Sequence, residues 1–181
     1  SHRYLECMFA VPMIGAVMHT INVRLSPDQI LYTMNHAEDI VVLINSEFVP
    51  IYKAIEDQLT TVTTTILLTD EADKTADLPG FAGEYEQLLT DEEDKTADLP
   101  GLAGEYEQLL AAAEPTYDFP DFDENSVATT FYTTGTTGNP KGVYFTHRQL
   151  VLHTLGQAAS LGALDSVRLL GNRDVYMPIT P

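Results

Sequence analysis

The chain predicts an α/β fold with a mainly parallel sheet flanked by helices. Three observations point there. Apolar runs of strand length alternate with segments of helical period along the 181 residues. Two helices announce their starts with capping boxes, SPDQ from Ser26 and THRQ from Thr146. One run, DIVVLI over residues 39–44, is apolar almost without interruption, the pattern of a strand covered on both faces.

The elements follow in order. Residues 4–18 form an apolar helix that contains Pro12, so a kink or break is expected there. Residues 19–23 form a short strand. The next helix has Ser26 as N-cap, Pro27 at its first position and Gln29 closing the box, and it runs to about residue 37. Residues 39–44 are the buried strand, 48–59 an amphipathic helix and 62–68 a Thr-rich strand. An acidic segment and a Pro/Asp-rich linker, 115–125, lead to a strand over 126–132. A short strand over 143–145 precedes the helix that Thr146 caps, which extends to about residue 160. Residues 174–180 read as a last strand. The stripe Leu150, Leu152 and Leu155 reads as helix core, and Tyr117, Phe119 and Phe122 as residues pinning the linker.

Composition bounds the function. Apolar residues make up 44% of the chain, an ordinary globular value. The net charge of −18 argues against nucleic acid as a partner, since phosphate backbones need a basic surface. A single cysteine, Cys7, allows no intrachain disulfide and points to a cytoplasmic, reducing location. Cys7 lies in an apolar run with no cationic neighbour and reads as a buried, inert thiol. That run ends at Met18 and contains Pro12, too short and broken for a transmembrane segment. The chain begins with Ser1 rather than Met and reads as a fragment of a longer protein.

Most of the acidity is local. TDEADKTADLPGFAGEYEQLL, residues 69–89, is followed at once by TDEEDKTADLPGLAGEYEQLL, residues 90–110; the copies differ only at Ala72/Glu93 and Phe81/Leu102. Together they hold 13 acids and 2 lysines, so −11 of the −18 resides here. Each copy reads as an acidic loop, a Leu-Pro-Gly turn and a short helix from Gly83 or Gly104. The acids lack the order of a calcium loop. The reading is a tandem surface insertion over 69–110, because added loop length costs little closure entropy. One copy should order against the core, and the other stay solvated or exchange with a neighbouring chain in a homodimeric swap.

Chemistry concentrates in YTTGTTGNPKGV, residues 132–143. Glycines let backbone N–H groups wrap an anion, threonine hydroxyls can donate to phosphate or ligate magnesium, and Lys141 adds a point charge. The composition fits a loop holding ATP phosphates; a Gly/Thr-rich turn with a surface lysine would also account for it. The usual nucleotide P-loop pattern is absent. Gly135 and Gly138 are too close, and Gly142 stands where a Ser or Thr should follow the lysine.

These residues closely resemble the signature phosphate loop of adenylate-forming, AMP-binding enzymes. With YFTHRQLVLHT behind them (residues 144–154), they look most like the fatty acyl-CoA synthetase branch. The resemblance extends to residues 2–44 and 122–135. It implies activation of a carboxylic acid by ATP as acyl-AMP, then transfer to coenzyme A. It implies that Thr133, Thr134, Gly135, Thr136, Thr137, Gly138 and Lys141 surround the β- and γ-phosphates, with Thr136 the Mg²⁺ ligand. No catalytic residue is assigned. In the family, the segments contacting adenine and ribose and the catalytic lysine of a mobile C-terminal domain lie further downstream, so residues 1–181 resemble an incomplete portion of the large N-terminal domain, expected to be inactive alone. The competing reading is a non-catalytic nucleotide-binding or protein-interaction module. His19, His36, His147 and His153 read as packed or surface histidines, since nothing nearby completes a metal set or triad.

Overall fold

A computed structural model describes residues 2–69, 99–133 and 138–162, with side chains to residue 160. The described elements comprise α1 (His2–Met13), β1 (Met18–Thr20), α2 (Pro27–Ala37), β2 (Val41–Asn45), α3 (Val49–Lys53), β3 (Thr64–Leu68), β4 (Leu102–Glu105), α4 (Tyr106–Ala112), β5 (Val127–Thr133), β6 (Lys141–Thr146) and α5 (His147–Gly162). The strands form two sheets, ordered β1-β5-β6 and β2-β3-β4. Helices and a parallel sheet together give the expected α/β class. The strand expected over 174–180 lies outside the described residues.

The chain divides into two compact units. One comprises Ser1–Met18, Pro120–Thr130 and Tyr144–Pro181. Here α1 is shorter than the sequence suggests, and its end is set by Gly15 rather than by Pro12. The Gly15 N–H donates to the Pro12 carbonyl at 2.9 Å and the Ala16 N–H to the Val11 carbonyl at 3.2 Å, with Gly15 at φ +80°. This left-handed closure satisfies the last carbonyls and ends the helix at Met13. Cys7 is buried, as its apolar surroundings imply. α5 begins as predicted: the Gln149 N–H donates to Thr146 Oγ1 at 3.2 Å, and the Thr146 N–H to Gln149 Oε1 at 2.9 Å. The stripe on α5 departs from expectation. Leu150, Leu152 and Leu155 are exposed, because no described residue covers that face. Phe122 lies against His147, ring centroids 4.6 Å apart, yet remains partly in solvent. The linker ends in a local turn, in which backbone and side-chain hydrogen bonds from Asn125 hold the Asp123 carboxyl below its ordinary value.

The second unit comprises His19–Phe119 and Phe131–Val143. α2 is the element read best from sequence. Ser26 and Gln29 form the reciprocal cap, and the helix runs from Pro27 to Ala37. It closes through Glu38 at φ 57°, a left-handed conformation that costs a non-glycine residue roughly 1–2 kcal/mol. The Asp39 N–H donates to the Met34 carbonyl at 3.1 Å and turns the chain into β2. β2 is not covered on both faces as predicted. Val42 and Ile44 are buried while Val41 is exposed, since among the described residues the apolar cluster lies on the side of Val42 and Ile44. The helix expected over 48–59 is broken into a 3₁₀ turn at Ser46–Phe48, α3, and a second 3₁₀ turn at Glu56–Gln58. Burial of Ile51, Tyr52 and Ile55 outweighs helical continuity there.

β2, β3 and β4 run parallel, Val41 opposite Thr64 and Thr65 opposite Leu102. β4 corrects the reading of 69–110 as a surface insertion. It belongs to the second repeat copy and forms the third strand of the sheet, and Leu99 just before it joins the core at 5% exposure. α4 follows from Tyr106, not from Gly104, which sits inside the strand at a register shift. Gly101 makes the docking possible. At φ +64°, a Cβ there would lie 2.3 Å from the Thr63 carbonyl oxygen. Thr65, fully buried, donates its N–H to the Gly101 carbonyl at 2.9 Å, and its hydroxyl donates to the Pro100 carbonyl at 3.1 Å. Residues 70–98, including nearly all the first copy, lie outside the described residues.

Two predictions follow from this docking. Deleting 69–89 or deleting 90–110 yields single-copy chains that differ at only two positions, and the one within β4 is Leu102, which is exposed. Both deletions should therefore fold with melting temperatures close to the parent's. A large fall in either would show that both copies are integral to the core. In either single-copy chain, alanine at the docking glycine (Gly101→Ala in the chain lacking 69–89) should cost about 2–4 kcal/mol in denaturant unfolding.

Candidate functional site

β5 has the sequence VATTFYT, β-branched and aromatic, and alternates cleanly: Ala128, Thr130 and Tyr132 are buried. Thr133, its last residue, is exposed. Lys141, also exposed, opens β6, the neighbouring strand. The residues between the strands are too few for a parallel crossover, so β5 and β6 run antiparallel and the Gly/Thr loop joins adjacent strands. This corrects the extent of the loop: Tyr132, Thr133 and residues 141–143 belong to strands, not to the loop itself.

The two stems are tied. Thr133 Oγ1 donates to the Lys141 carbonyl at 3.4 Å. No carboxylate among the described residues pairs with the Lys141 ammonium, so its charge faces solvent at the loop mouth. Pro140 is buried immediately before it and fixes the approach to β6. Gly138 has φ +94° with open space where a Cβ would stand. Its requirement for glycine is therefore conformational rather than steric crowding. Thr134, Gly135, Thr136 and Thr137 lie outside the described residues. Of the seven residues expected around phosphate, the structure thus describes Thr133, Gly138 and Lys141.

Behind the first stem lies a polar cluster that sequence reasoning did not assemble. The Tyr132 hydroxyl and His36 Nδ1 are 2.7 Å apart in a hydrogen bond across 96 residues of sequence. The rings of His36 and Tyr132 meet edge-on, with centroids 5.7 Å apart. His19 packs on the same tyrosine at 5.2 Å. His19 Nδ1 donates to Asp39, 2.8 Å from Oδ2 and 3.0 Å from Oδ1, with both side chains largely buried. Its Nε2 is buried without a hydrogen-bond partner among the described residues. Read singly, His19 and His36 are ordinary packed histidines; only the fold brings both to Tyr132. Among the described residues, no group of three or more His, Cys, Asp or Glu side chains could hold a metal ion, and no helix is long and apolar enough to cross a membrane. An open concavity of about 450 Å³ on α2, lined by Asp28, Leu31, Tyr32, Asn35 and His36, adjoins this cluster.

Residues 1–181 match the AMP-binding enzyme family throughout, and the chain belongs to that family. It is 37% identical over 180 residues to a medium-chain-fatty-acid–CoA ligase of Ectopseudomonas oleovorans, covering 99% of this chain and 28% of that protein. It is 38% identical over 179 residues to a long-chain-fatty-acid–CoA ligase of Thermus thermophilus, covering 99% of this chain and 27% of the relative. A 3-methylmercaptopropionyl-CoA ligase of Ruegeria pomeroyi is 35% identical over 181 residues, 100% of this chain and 29% of the relative. The chain thus spans under a third of the length of these curated relatives. Among solved structures, the anthranilate CoA ligase AuaEII in complex with anthranoyl-AMP shares the fold, with a TM-score of 0.58 at 18% identity over 93% of this chain and 26% of that one.

The Asp39–His19 bond generates a prediction of its own. Asp39→Ala leaves His19 with both ring nitrogens unpartnered among the described residues, in a largely buried place. It should lower stability by about 1.5–3 kcal/mol, measured by urea unfolding.

Proposed function

We propose that this chain is the phosphate-binding part of an ATP-dependent carboxylic acid–CoA ligase, with a fatty acid as the substrate class. The observation that carries the reading is the pairing of Thr133 and Lys141 at the two stems of a Gly/Thr loop, the Thr133 hydroxyl tied to the Lys141 carbonyl at 3.4 Å and the lysine charge unpaired among the described residues. Membership of the AMP-binding enzyme family supports it. So does the likeness to relatives named as fatty-acid–CoA ligases.

The reaction suits such a site. The acid arrives ionised, and its carboxylate oxygen attacks the α-phosphorus of ATP. Pyrophosphate leaves and acyl-AMP remains. In the second step the sulfur of coenzyme A bonds to the acyl carbon, the thiol proton is lost and AMP departs. No general base is needed for the first step; the barrier lies in bringing an anion to a polyanion and stabilising the charge that develops. The Lys141 ammonium offsets charge on the β- and γ-phosphates. The hydroxyls of Thr134 and Thr137 and the N–H groups of Gly135 and Gly138 donate to phosphate oxygens, beside Thr133, whose own hydroxyl proton goes to the Lys141 carbonyl. The hydroxyl-rich, carboxylate-free composition of the loop fits magnesium, an ion that takes few protein ligands; Thr136 would be its protein ligand, and the ion would supply further charge to offset the polyphosphate.

Taken alone, these 181 residues are expected to form no acyl-CoA; an AMP-release assay with a panel of acids, ATP, Mg²⁺ and coenzyme A checks this, and turnover above a no-protein control would overturn it. In the full-length ligase, Lys141→Ala should raise the adenylation barrier by about 2–4 kcal/mol, read as acid-dependent pyrophosphate exchange. Lys141→Arg should rescue only in part, because a planar guanidinium does not replace a compact ammonium. Normal exchange in the alanine variant would favour the reading as a non-catalytic module.

A further inference from the structure

We infer that Tyr132, gripped by His36 and backed by the His19–Asp39 pair, is the positioning residue that sets the phosphate loop for ATP. The inference rests on the ligase reading above and adds to it the residues that fix the loop's entry.

The grip draws on three parts of the chain. His36 sits in the last turn of α2, and the inward face of that helix is anchored by Ile30, Thr33 and Met34. His19 stands on β1. Asp39 follows the left-handed closure of α2, where its N–H is already bonded to the Met34 carbonyl. His36 itself is exposed, so its place is set by the helix whose opposite face is buried, while His19 and Asp39 are half-buried and hold each other. His36 and His19 meet on one side chain, Tyr132, the last inward residue of β5, with Asp39 behind His19.

The next residue is Thr133, whose hydroxyl reaches the Lys141 carbonyl. A displacement of Tyr132 along or about the strand is thus passed to both stems: to Thr133 through the covalent chain and to Lys141 through the hydrogen bond. A phenylalanine would fill the same buried space but lose the His36 bond, so the ring could slide without emptying the site. His19 would not resist that motion by hydrogen bonding, because its Nδ1 is engaged by Asp39 and its Nε2 has no partner among the described residues; its contact with the ring is packing. The hydroxyl of Tyr132 is therefore the group that converts a packed aromatic into a fixed one.

The expected effect falls on ATP rather than on the acid or the thiol. A net hydrogen bond lost from a positioning network corresponds to roughly a threefold to tenfold change. In the full-length ligase, Tyr132→Phe should raise the ATP KM of acid-dependent pyrophosphate exchange by that factor, with the KM for the acid and the rate of thioester formation from preformed acyl-AMP unchanged. His36→Leu should do the same, and the double variant should be no worse than either single one. His36→Asn, which keeps a polar atom where Nδ1 stood, should retain most of the ATP affinity. An ATP KM within about twofold of the parent for Tyr132→Phe would overturn the inference. So would additive effects of the two single changes, or an equal loss in both half-reactions that follows the melting temperature, the mark of a purely structural role. Lys141→Ala separates the two levels: if it impairs exchange while Tyr132→Phe does not, the anchor is wrong and the loop assignment stands. If Lys141→Ala leaves exchange intact, the loop assignment itself is wrong.

Discussion

The burial of one face of α2 against the β2–β3 sheet is the interaction on which the rest of the second unit depends. Ile30 and Met34 join Val42, Ile44 and Leu67 in one apolar cluster, with Val49, Ile51, Tyr52 and Ile55 closing it from α3 and the turn beyond. Fully burying side chains of this size is worth roughly 1.5–3 kcal/mol each, far more than the few tenths from any surface pair. The same burial places the end of the helix. Because Met34 is buried, its carbonyl can take the Asp39 N–H, and His36, in the same last turn, faces Tyr132.

Polar groups complete that core without weakening it. Thr65 has no exposed surface, yet its N–H and hydroxyl are both satisfied, the hydroxyl also lying 3.2 Å from that of Tyr52. An unsatisfied hydroxyl there would cost about 1–3 kcal/mol. Two of the bonds come from Pro100 and Gly101, so the turn before β4 is part of the sheet's polar accounting and not merely a connection. This is why the end of the second repeat copy is structural. Its Pro-Gly turn meets Thr63 and Thr65 at backbone distance.

The two outward faces differ in character. α5 presents Leu150, Val151, Leu152 and Leu155 to solvent, and α1 presents Leu5, Phe9 and Met13. Contiguous apolar surface on a helix marks a face that another element covers. The loop stems behave otherwise: Thr133, Gly138, Asn139 and Lys141 are polar or small and exposed, as suits groups that meet a charged ligand through water.

The amino-acid sequence by itself determined whatever is written within a few residues. The capping boxes at Ser26 and Thr146, the extent of α2, the strand character of β5 and the Gly/Thr/Lys composition of the loop all follow from local rules, because caps, turns and alternation are local physics. Tertiary structure decided what depends on distant partners. It broke the helix expected over 48–59 because side-chain burial outweighed continuity. It left one face of β2 open where an apolar run suggested two covered ones. It made a strand of Leu102–Glu105, since a segment so short becomes a strand only when an edge offers it hydrogen bonds. It also brought His36 to Tyr132 across 96 residues, a pairing with no trace in either residue's neighbours. Hydrogen bonds between side chains far apart in sequence are set by packing, and packing is a property of the whole fold.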